Sequence, residues 1–322
     1  MELEFFGSLK GLGIERASAL MLAMLIGLLV TGMPLAFVTL LVALFFALGW
    51  FGPMSVPLIT SRIYSFVTSY VFVAVPMFVL MASVLDRSGI ARDLFDAMKL
   101  IGSRMRGALG VQTLFVAVMM AAMSGIIGGE VVLLGLLALP QMLRLGYDKS
   151  LAIGVCCAGG ALGTMIPPSI VLIIYGLIAN VSISDLFAAS FTPGFMLAAF
   201  YVAYVLIRAR LQPHLAPLPT EEDRVSMSLP RLLVGLSLPI GVIIIVLGSI
   251  YGGIASVTEA AGLGVVGVVL ATLLRGELTL RMLLDAAIQT LSTCGMIVWI
   301  GIGASAIIGV YNLMGGNTFV EQ

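Results

Sequence analysis

Long apolar runs separated by short polar segments dominate the chain. No charged residue occurs from Ala17 to Ser61, from Ile63 to Leu85, from Leu232 to Val257 or from Ala286 to Val320. Each run is long enough for at least one helix of the roughly 20 residues that cross a bilayer. A charge at the bilayer centre costs about 2.5–3.5 kcal/mol, so membrane chains confine charges to loops. The pattern predicts an all-α polytopic membrane protein.

The same pattern predicts where the helices lie. The first apolar run is too long for one helix and is interrupted at Gly32-Met33-Pro34. Between Arg87 and Arg106, basic residues alternate with apolar ones at helical spacing, which is typical of an amphipathic helix at the membrane interface. Spans are predicted near 17–31, 35–50, 63–85, 231–251, 258–274 and 288–313.

Two apolar segments are broken in the middle. Residues 108–142 contain Ser-Gly-Ile-Ile-Gly-Gly-Glu, and each half is too short to cross a bilayer alone. Residues 158–169 contain three glycines and the pair Pro167-Pro168, which remove two backbone donors. Unwound backbone near the middle of the membrane is typical of the ion and substrate sites of secondary transporters. A kinked packing helix with Gly159 and Gly163 at its contact face also fits the second segment, but two neighbouring breaks favour transport.

The basic residues predict the orientation. If residues 108–142 form a re-entrant hairpin, the loops 86–106, 143–149, 208–231 and 275–285 share one face, with a periplasmic N-terminus. That face is cytoplasmic by the positive-inside rule. It carries thirteen of the sixteen basic residues: Arg87, Arg92, Lys99, Arg104, Arg106, Arg144, Lys149, Arg208, Arg210, Arg224, Arg231, Arg275 and Arg281.

Composition excludes other classes of protein. Of the 322 residues, 61% are hydrophobic and 10% charged, the mean hydropathy is +1.18, and the net charge is zero, which gives no basic surface for nucleic acid. No Ser–His, Ser–Lys or paired-carboxylate set lies in the apolar segments, so an enzyme is not predicted. The three cysteines are predicted to be small apolar residues, and His214 a solvated loop residue.

The order of elements after the linker at residues 211–228 is similar to the order at the start of the chain. The two halves begin on opposite faces in the predicted topology, as an inverted repeat requires. The second repeat would be incomplete at Gln322. We therefore expect a longer natural product, and no transport by residues 1–322 without a second hairpin and broken helix.

Several motifs resemble the large membrane subunit of tripartite ATP-independent periplasmic (TRAP) transporters, of the DctM type. The resemblance covers the whole chain, and the Ala-Gly-Gly to Pro-Pro-Ser stretch is its most specific part. The motifs are Pro76 to Met81, Asp86 to Ala91, Met123-Ser124-Gly125, Leu145 to Asp148, Ala158 to Tyr175, Thr192-Pro193-Gly194 and Thr258 to Ala261.

The resemblance implies an elevator-type carrier in the bacterial inner membrane, driven by a sodium gradient. It implies a small four-helix membrane subunit (DctQ type) and a periplasmic binding protein (DctP type) that delivers an organic acid. The implied divisions are scaffold helices (1–85), an interfacial helix (86–106), a transport-domain hairpin and broken helix (107–192), a last span (193–210), a cytoplasmic linker (211–229) and second-repeat scaffold helices (230–322).

By resemblance, sodium ligands lie at Ser124, Gly163, Ile166 and Pro168, mostly through backbone oxygens. Substrate is expected beside them, at Ser124, Gly125, Gly129, Glu130, Thr164, Pro167 and Ser169. The chain departs from many members at Ile126-Ile127, where hydroxyl residues are usual.

Two glutamates have alternative roles. Glu130 is the only charge between Gly107 and Leu143, so it either supplies a missing ion ligand, binds a coupling proton, or caps the second hairpin helix. For Glu259 at another helix start, the sequence favours a cap.

Two other functions fit the same pattern: a self-sufficient sodium-coupled carboxylate carrier of related fold, and a channel. No cofactor is expected beyond the coupling ion, which is Na+ or, alternatively, H+.

The topology gives a first prediction. In a variant without native cysteines, a cysteine at Ser103 should be labelled by a membrane-impermeant maleimide only from the cytoplasm. A cysteine at Ser182 should be labelled only from outside. Labelling of both positions from one side would contradict the re-entrant hairpin.

Overall fold

The computed structural model describes residues 8–98, 105–125, 129–218 and 229–321. Ser103, Ile126 and Ile127, which figure in the predictions above, lie outside these ranges. The regular elements in the described part are helices: α1 (Gly13–Val30), α2 (Leu35–Phe51), α3 (Val56–Val67), α4 (Ala74–Arg87), α5 (Ile90–Met98), α6 (Ala108–Ser124), α7 (Gly129–Leu137), α8 (Leu139–Arg144), α9 (Lys149–Ala161), α10 (Ile170–Ala179), α11 (Ile183–Leu211), α12 (Leu229–Tyr251), α13 (Val257–Leu274), α14 (Leu280–Leu313) and α15 (Gly316–Val320), with short 3-10 turns.

Helices long and apolar enough to cross a membrane confirm the predicted all-α polytopic class. Six such segments occur in the described residues, and many of their large apolar side chains are exposed, as lipid-facing surfaces require. The segments are Leu9–Val30, Leu35–Val67, Tyr70–Arg87, Ile183–Leu211, Val257–Leu274 and Leu280–Leu313.

The described residues form two compact units, one of residues 8–72 with 292–321 and one within 73–291. The first unit buries apolar side chains of α1, α2, α3 and the second part of α14, among them Val38, Val42, Phe46 and Val310. Ser18 Oγ lies 3.1 Å from the hydroxyl of Tyr311, so one hydrogen bond joins α1 to the end of α14. Apolar packing therefore makes up the core of this unit, and the Ser18–Tyr311 hydrogen bond joins its two chain segments.

One predicted span was wrong in its boundaries. A single helix was expected near 63–85, but α3 ends at Val67 and a 3-10 turn precedes α4. Thr68 Oγ1 donates to the carbonyl of Tyr64 at 2.7 Å, and Phe72 N donates to the carbonyl of Ser69 at 3.0 Å. The Thr68 hydroxyl bond is of the kind that bends helices slightly, and the same bond at Thr60 lies within the continuous α3, so it accompanies the break without accounting for it.

In the second unit, α4 and α12 pack against α13, and small residues set how closely they approach. A Cβ at Gly264 would lie 2.8 Å from Cγ2 of Val246, so α12 and α13 require glycine there. The described part of the predicted interfacial helix, α5, is amphipathic: Ile90, Leu94 and Phe95 are buried, whereas Arg92 is exposed.

A charged cluster ties the α4–α5 turn to the loop after α13. Arg275 contacts Asp93 at 2.6 Å and Glu277 at 2.9 Å, and Gly89 N donates to Glu277 at 3.0 Å. The Arg275 hydrogen bond and the backbone donor hold the pKa of Glu277 below its usual range. These side chains are partly exposed, so they set the register of the loops more than they stabilise the unit.

Both predicted breaks are present. α6 ends at Ser124, and its C-cap Gly125 is left-handed (φ 58°), a conformation that favours glycine. α7 begins at Gly129, and Pro140 lies in the first turn of the short α8. In the second segment, α9 ends at Ala161, a 3-10 turn covers Leu162–Thr164, and α10 begins only at Ile170.

Gly160 controls the approach of α9 to α7, since a Cβ there would lie 2.8 Å from the backbone nitrogen of Val131. We predict that Gly160→Ala forces these helices apart and destabilises the protein by about 1–3 kcal/mol, as overpacking does. Thermal unfolding in detergent measures the effect as a lower Tm.

Gly154→Ala is the matched control, because Gly154 lies in the same helix and a Cβ there meets nothing within 4 Å. It should leave the Tm unchanged or raise it through helix propensity. Equal Tm values for both variants would contradict the packing role of Gly160.

Candidate functional site

The predicted site residues come together where the two breaks meet. Ile170 N, at the start of α10, donates to the carbonyl of Gly125 at 3.3 Å. A Cβ at Gly125 would collide with the carbonyl oxygen of Pro168, so only glycine allows the hairpin tip to contact the broken helix. Ser124 and Ser169, which flank this contact, are both buried.

Glu130 lies in the first turn of α7 and is 1% exposed. Ser124 Oγ donates to its Oε1, while Oε2 has no hydrogen-bond partner among the described residues. A Cβ at Gly163 would lie 2.6 Å from Oε2 and 2.8 Å from Oε1, so the carboxylate rests directly on the backbone of the broken helix. The absence of a side chain at Gly163 makes room for Glu130.

The backbone of the broken helix leaves several carbonyl oxygens available. The Leu162 carbonyl accepts from Met165 N at 3.0 Å and Ile166 N at 2.9 Å, and Ser169 Oγ donates to the Thr164 carbonyl at 2.9 Å. In the described residues, no hydrogen bond reaches the carbonyl oxygens of three of the predicted sodium ligands: Gly163, Ile166 and Pro168. Buried carbonyls normally have partners, so these are suited to a bound cation.

The remaining predicted residues have different surroundings. Thr164 is half-buried, and its Oγ1 donates to the carbonyl of Ala161 at 2.8 Å, so it closes the last turn of α9. Pro167 is buried in the break beside the carbonyl-bearing residues. Gly129 instead faces α4, because a Cβ there would lie 3.2 Å from Oδ2 of Asp86.

Asp86 and Ser83 belong to this region and were missed by the sequence reasoning. They lie one turn apart on α4, and Asp86 interacts electrostatically with Glu130. Asp86 Oδ1 and the Ser83 hydroxyl are buried without a hydrogen-bond partner among the described residues. Their spacing could have identified them, because two polar residues three positions apart in an apolar helix lie on the same face.

The two glutamates are now distinguished by their contacts. Glu259 forms a capping box, with Oε2 accepting from Ser256 N at 2.7 Å and Ser256 Oγ accepting from Glu259 N at 3.4 Å. This confirms the predicted cap, with Ser256 as the N-cap residue. For Glu130, the partner in the described residues is the hydroxyl of Ser124, on the preceding helix.

Together, these features define a polytopic α-helical membrane protein whose one fully buried carboxylate in the described residues lies between two interrupted helices. Residues 22–322 match the family model described as the tripartite ATP-independent periplasmic transporter, DctM component. The chain belongs to this family of transporter permease subunits and is not an enzyme.

Characterised relatives agree with this assignment. The chain is 31% identical to the C4-dicarboxylate TRAP transporter large permease protein DctM of Vibrio cholerae over 252 residues, which is 78% of this chain and 54% of that protein. It is 32% identical to the ectoine TRAP transporter large permease protein TeaC of Halomonas elongata over 248 residues, 76% of this chain and 56% of that protein. The matched region thus spans about half the length of these relatives.

Proposed function

We propose that this chain is part of the translocation subunit of a secondary active, ion-gradient-driven uptake system for organic acids in the inner membrane. The observation that carries the proposal is Glu130, a fully buried carboxylate with one oxygen free of partners in the described residues. An unpaired charge in an apolar interior costs far more than one bonded to a cation, so the pocket requires a positive species.

We infer that this species is the coupling ion, Na+. Glu130 Oε2 and the carbonyl oxygens of Gly163, Ile166 and Pro168 are hard oxygen donors, which suit a small alkali cation. Asp86 adds a second negative charge next to Glu130 and so strengthens the attraction. A coupling proton on Glu130 is the alternative that the same geometry allows.

The substrate site in this proposal adjoins the ion, at Ser124, Gly125, Gly129, Glu130, Thr164, Pro167 and Ser169. A cation held there offsets the negative charge of an arriving carboxylate, which links ion binding to substrate binding. The names of the relatives, which include a C4-dicarboxylate and an ectoine transporter, support an organic acid as substrate.

The proposed mechanism is of the elevator type. The hairpin and broken helix would move with their cargo against scaffold helices, and a small DctQ-type subunit and a DctP-type periplasmic binding protein would complete the system. The re-entrant hairpin, the inverted repeat, the sixfold division of the chain and the periplasmic N-terminus belong to this proposal. It is supported by the family and by the two breaks.

Uptake by the full-length protein, reconstituted with its membrane partner in proteoliposomes, tests the function. Radiolabelled C4-dicarboxylate and ectoine should accumulate only when an inward Na+ gradient and the periplasmic binding protein are both present. Accumulation without the binding protein would instead indicate a self-sufficient carrier. Equilibration without accumulation under any gradient would indicate a channel.

Glu130→Gln tests the ion site, because it keeps the side-chain volume and the Ser124 contact but removes the charge. We expect uptake to fall and the Na+ concentration for half-maximal uptake to rise by roughly tenfold or more, as loss of a metal-site group does. Initial rates across a Na+ series measure both quantities.

Glu259→Gln is the matched control. Its carboxylate is exposed and bonded within its own capping box, so the variant should show the Na+ dependence of the natural protein. An unchanged Na+ dependence in Glu130→Gln would contradict the sodium assignment. A shift in pH dependence alone would favour the proton.

A further inference from the structure

A second cavity lies away from the Glu130 pocket, between α6, α9 and α11. Its volume is about 560 Å³. The body of the cavity is apolar, and Gly154, Phe200 and Tyr204 at its edge are exposed, so it opens on the surface of the unit. Apolar side chains line it: Leu114, Leu151, Val155, Ala158, Phe200 and Val205.

Small residues create this groove. A Cβ at Gly154 would meet nothing within 4 Å, so the glycine leaves open space where most residues would place a side chain. At Val205, which also lines the groove, α6 and α11 are in tight contact, because a Cβ at Gly110 would lie 3.0 Å from Cγ1 of Val205. The groove therefore lies beside a close contact between α6 and α11 and has its open space at Gly154.

One end of the groove is polar and carries one arginine and one aspartate. Arg208, in the last turn of α11, lines this end, and its Nε is buried without a hydrogen-bond partner among the described residues. Asp148 also lines it, but its Oδ1 accepts from Leu151 N at 3.0 Å as the N-cap of α9. Ser150 and Tyr201 contribute hydroxyl groups.

The groove differs from the proposed ion site because it has a large apolar body and one polar end. These two parts match the acyl chain and the headgroup of a phospholipid. An apolar groove on the surface of a membrane protein has room for an acyl chain, and a guanidinium with an unused donor can bind a phosphate. Arg208, in the last turn of α11, lies at the end of the helix that is predicted to be cytoplasmic, and tyrosines are common at membrane interfaces. Basic pockets between helices on this side of a membrane bind anionic headgroups.

We propose that this groove is a binding site for an anionic phospholipid, with one acyl chain between α6, α9 and α11 and the phosphate on Arg208. None of the lining residues is among those of the proposed ion and substrate sites. The lipid would fill the space that Gly154 leaves and complete the lipid-facing surface of this unit.

Native mass spectrometry of the full-length protein, delipidated and then titrated with phosphatidylglycerol or phosphatidylcholine of identical acyl chains, tests the proposal. The natural protein should retain phosphatidylglycerol in preference to phosphatidylcholine. Arg208→Gln should weaken retention of phosphatidylglycerol by roughly tenfold, the value of one charged hydrogen bond, without changing that of phosphatidylcholine. Arg208→Lys should restore part of the preference.

Gly154→Leu should fill the groove and weaken retention of both lipids. Two matched controls separate the site from general effects. Arg210→Gln removes an exposed arginine two residues from Arg208, and Gly135→Leu fills open space beside another helix. Both should bind lipid as the natural protein does, and thermal unfolding should show that all variants are folded.

Three outcomes would overturn the proposal. The first is equal retention of phosphatidylglycerol by Arg208→Gln and the natural protein. The second is equal loss in Arg208→Gln and Arg210→Gln, which would indicate nonspecific charge attraction. The third is that, in lipid-free detergent, a protein partner protects a cysteine introduced at position 154 from a thiol-specific label. This result would show that a polypeptide fills the groove.

Discussion

The burial of one carboxylate constrains the architecture around the breaks. Glu130 is almost fully inaccessible, and in a medium that cannot solvate it the surrounding atoms must compensate its charge. Ser124 supplies one donor from the end of α6, and the glycine at 163 lets the backbone of the broken helix reach the carboxylate. Neither helix could continue through this point without excluding the side chain, so the breaks and the buried charge depend on one another.

Three glycines allow the chain segments around Glu130 to approach one another closely. Gly125 ends α6 in a left-handed conformation, Gly160 allows α9 to pack against α7, and Gly163 makes room for the Glu130 carboxylate. A side chain at any of these positions would collide with backbone or carboxylate atoms. The sequence marks all three as small residues in apolar segments. Their separate tasks become visible only when the partner atoms across the contact are known.

The sequence was sufficient for the class of protein and for the location of both breaks, because charge-free runs and glycine-proline clusters are local signals. It was insufficient for the helix boundary at Thr68, because α3 ends there within a continuously uncharged stretch. It also failed for Asp86. Asp86 precedes Arg87 at the end of an apolar run, so the sequence predicts that it begins the interfacial segment. In the structure, its Oδ2 lies close to Gly129 at the start of α7.

A comparison of Glu130 and Glu259 shows why residue type alone cannot assign a role. Both lie in the first turn of a helix, where the dipole favours a negative charge. Glu259 is exposed and bonded to its own N-cap residue, so its charge is compensated locally and by water. Glu130 is buried and bonded across the hairpin, with a second carboxylate nearby and an oxygen without a described partner. Local capping therefore accounts fully for Glu259, whereas Glu130 contacts Ser124 on the preceding helix and lies near a second carboxylate, which is the basis of the proposed ion site.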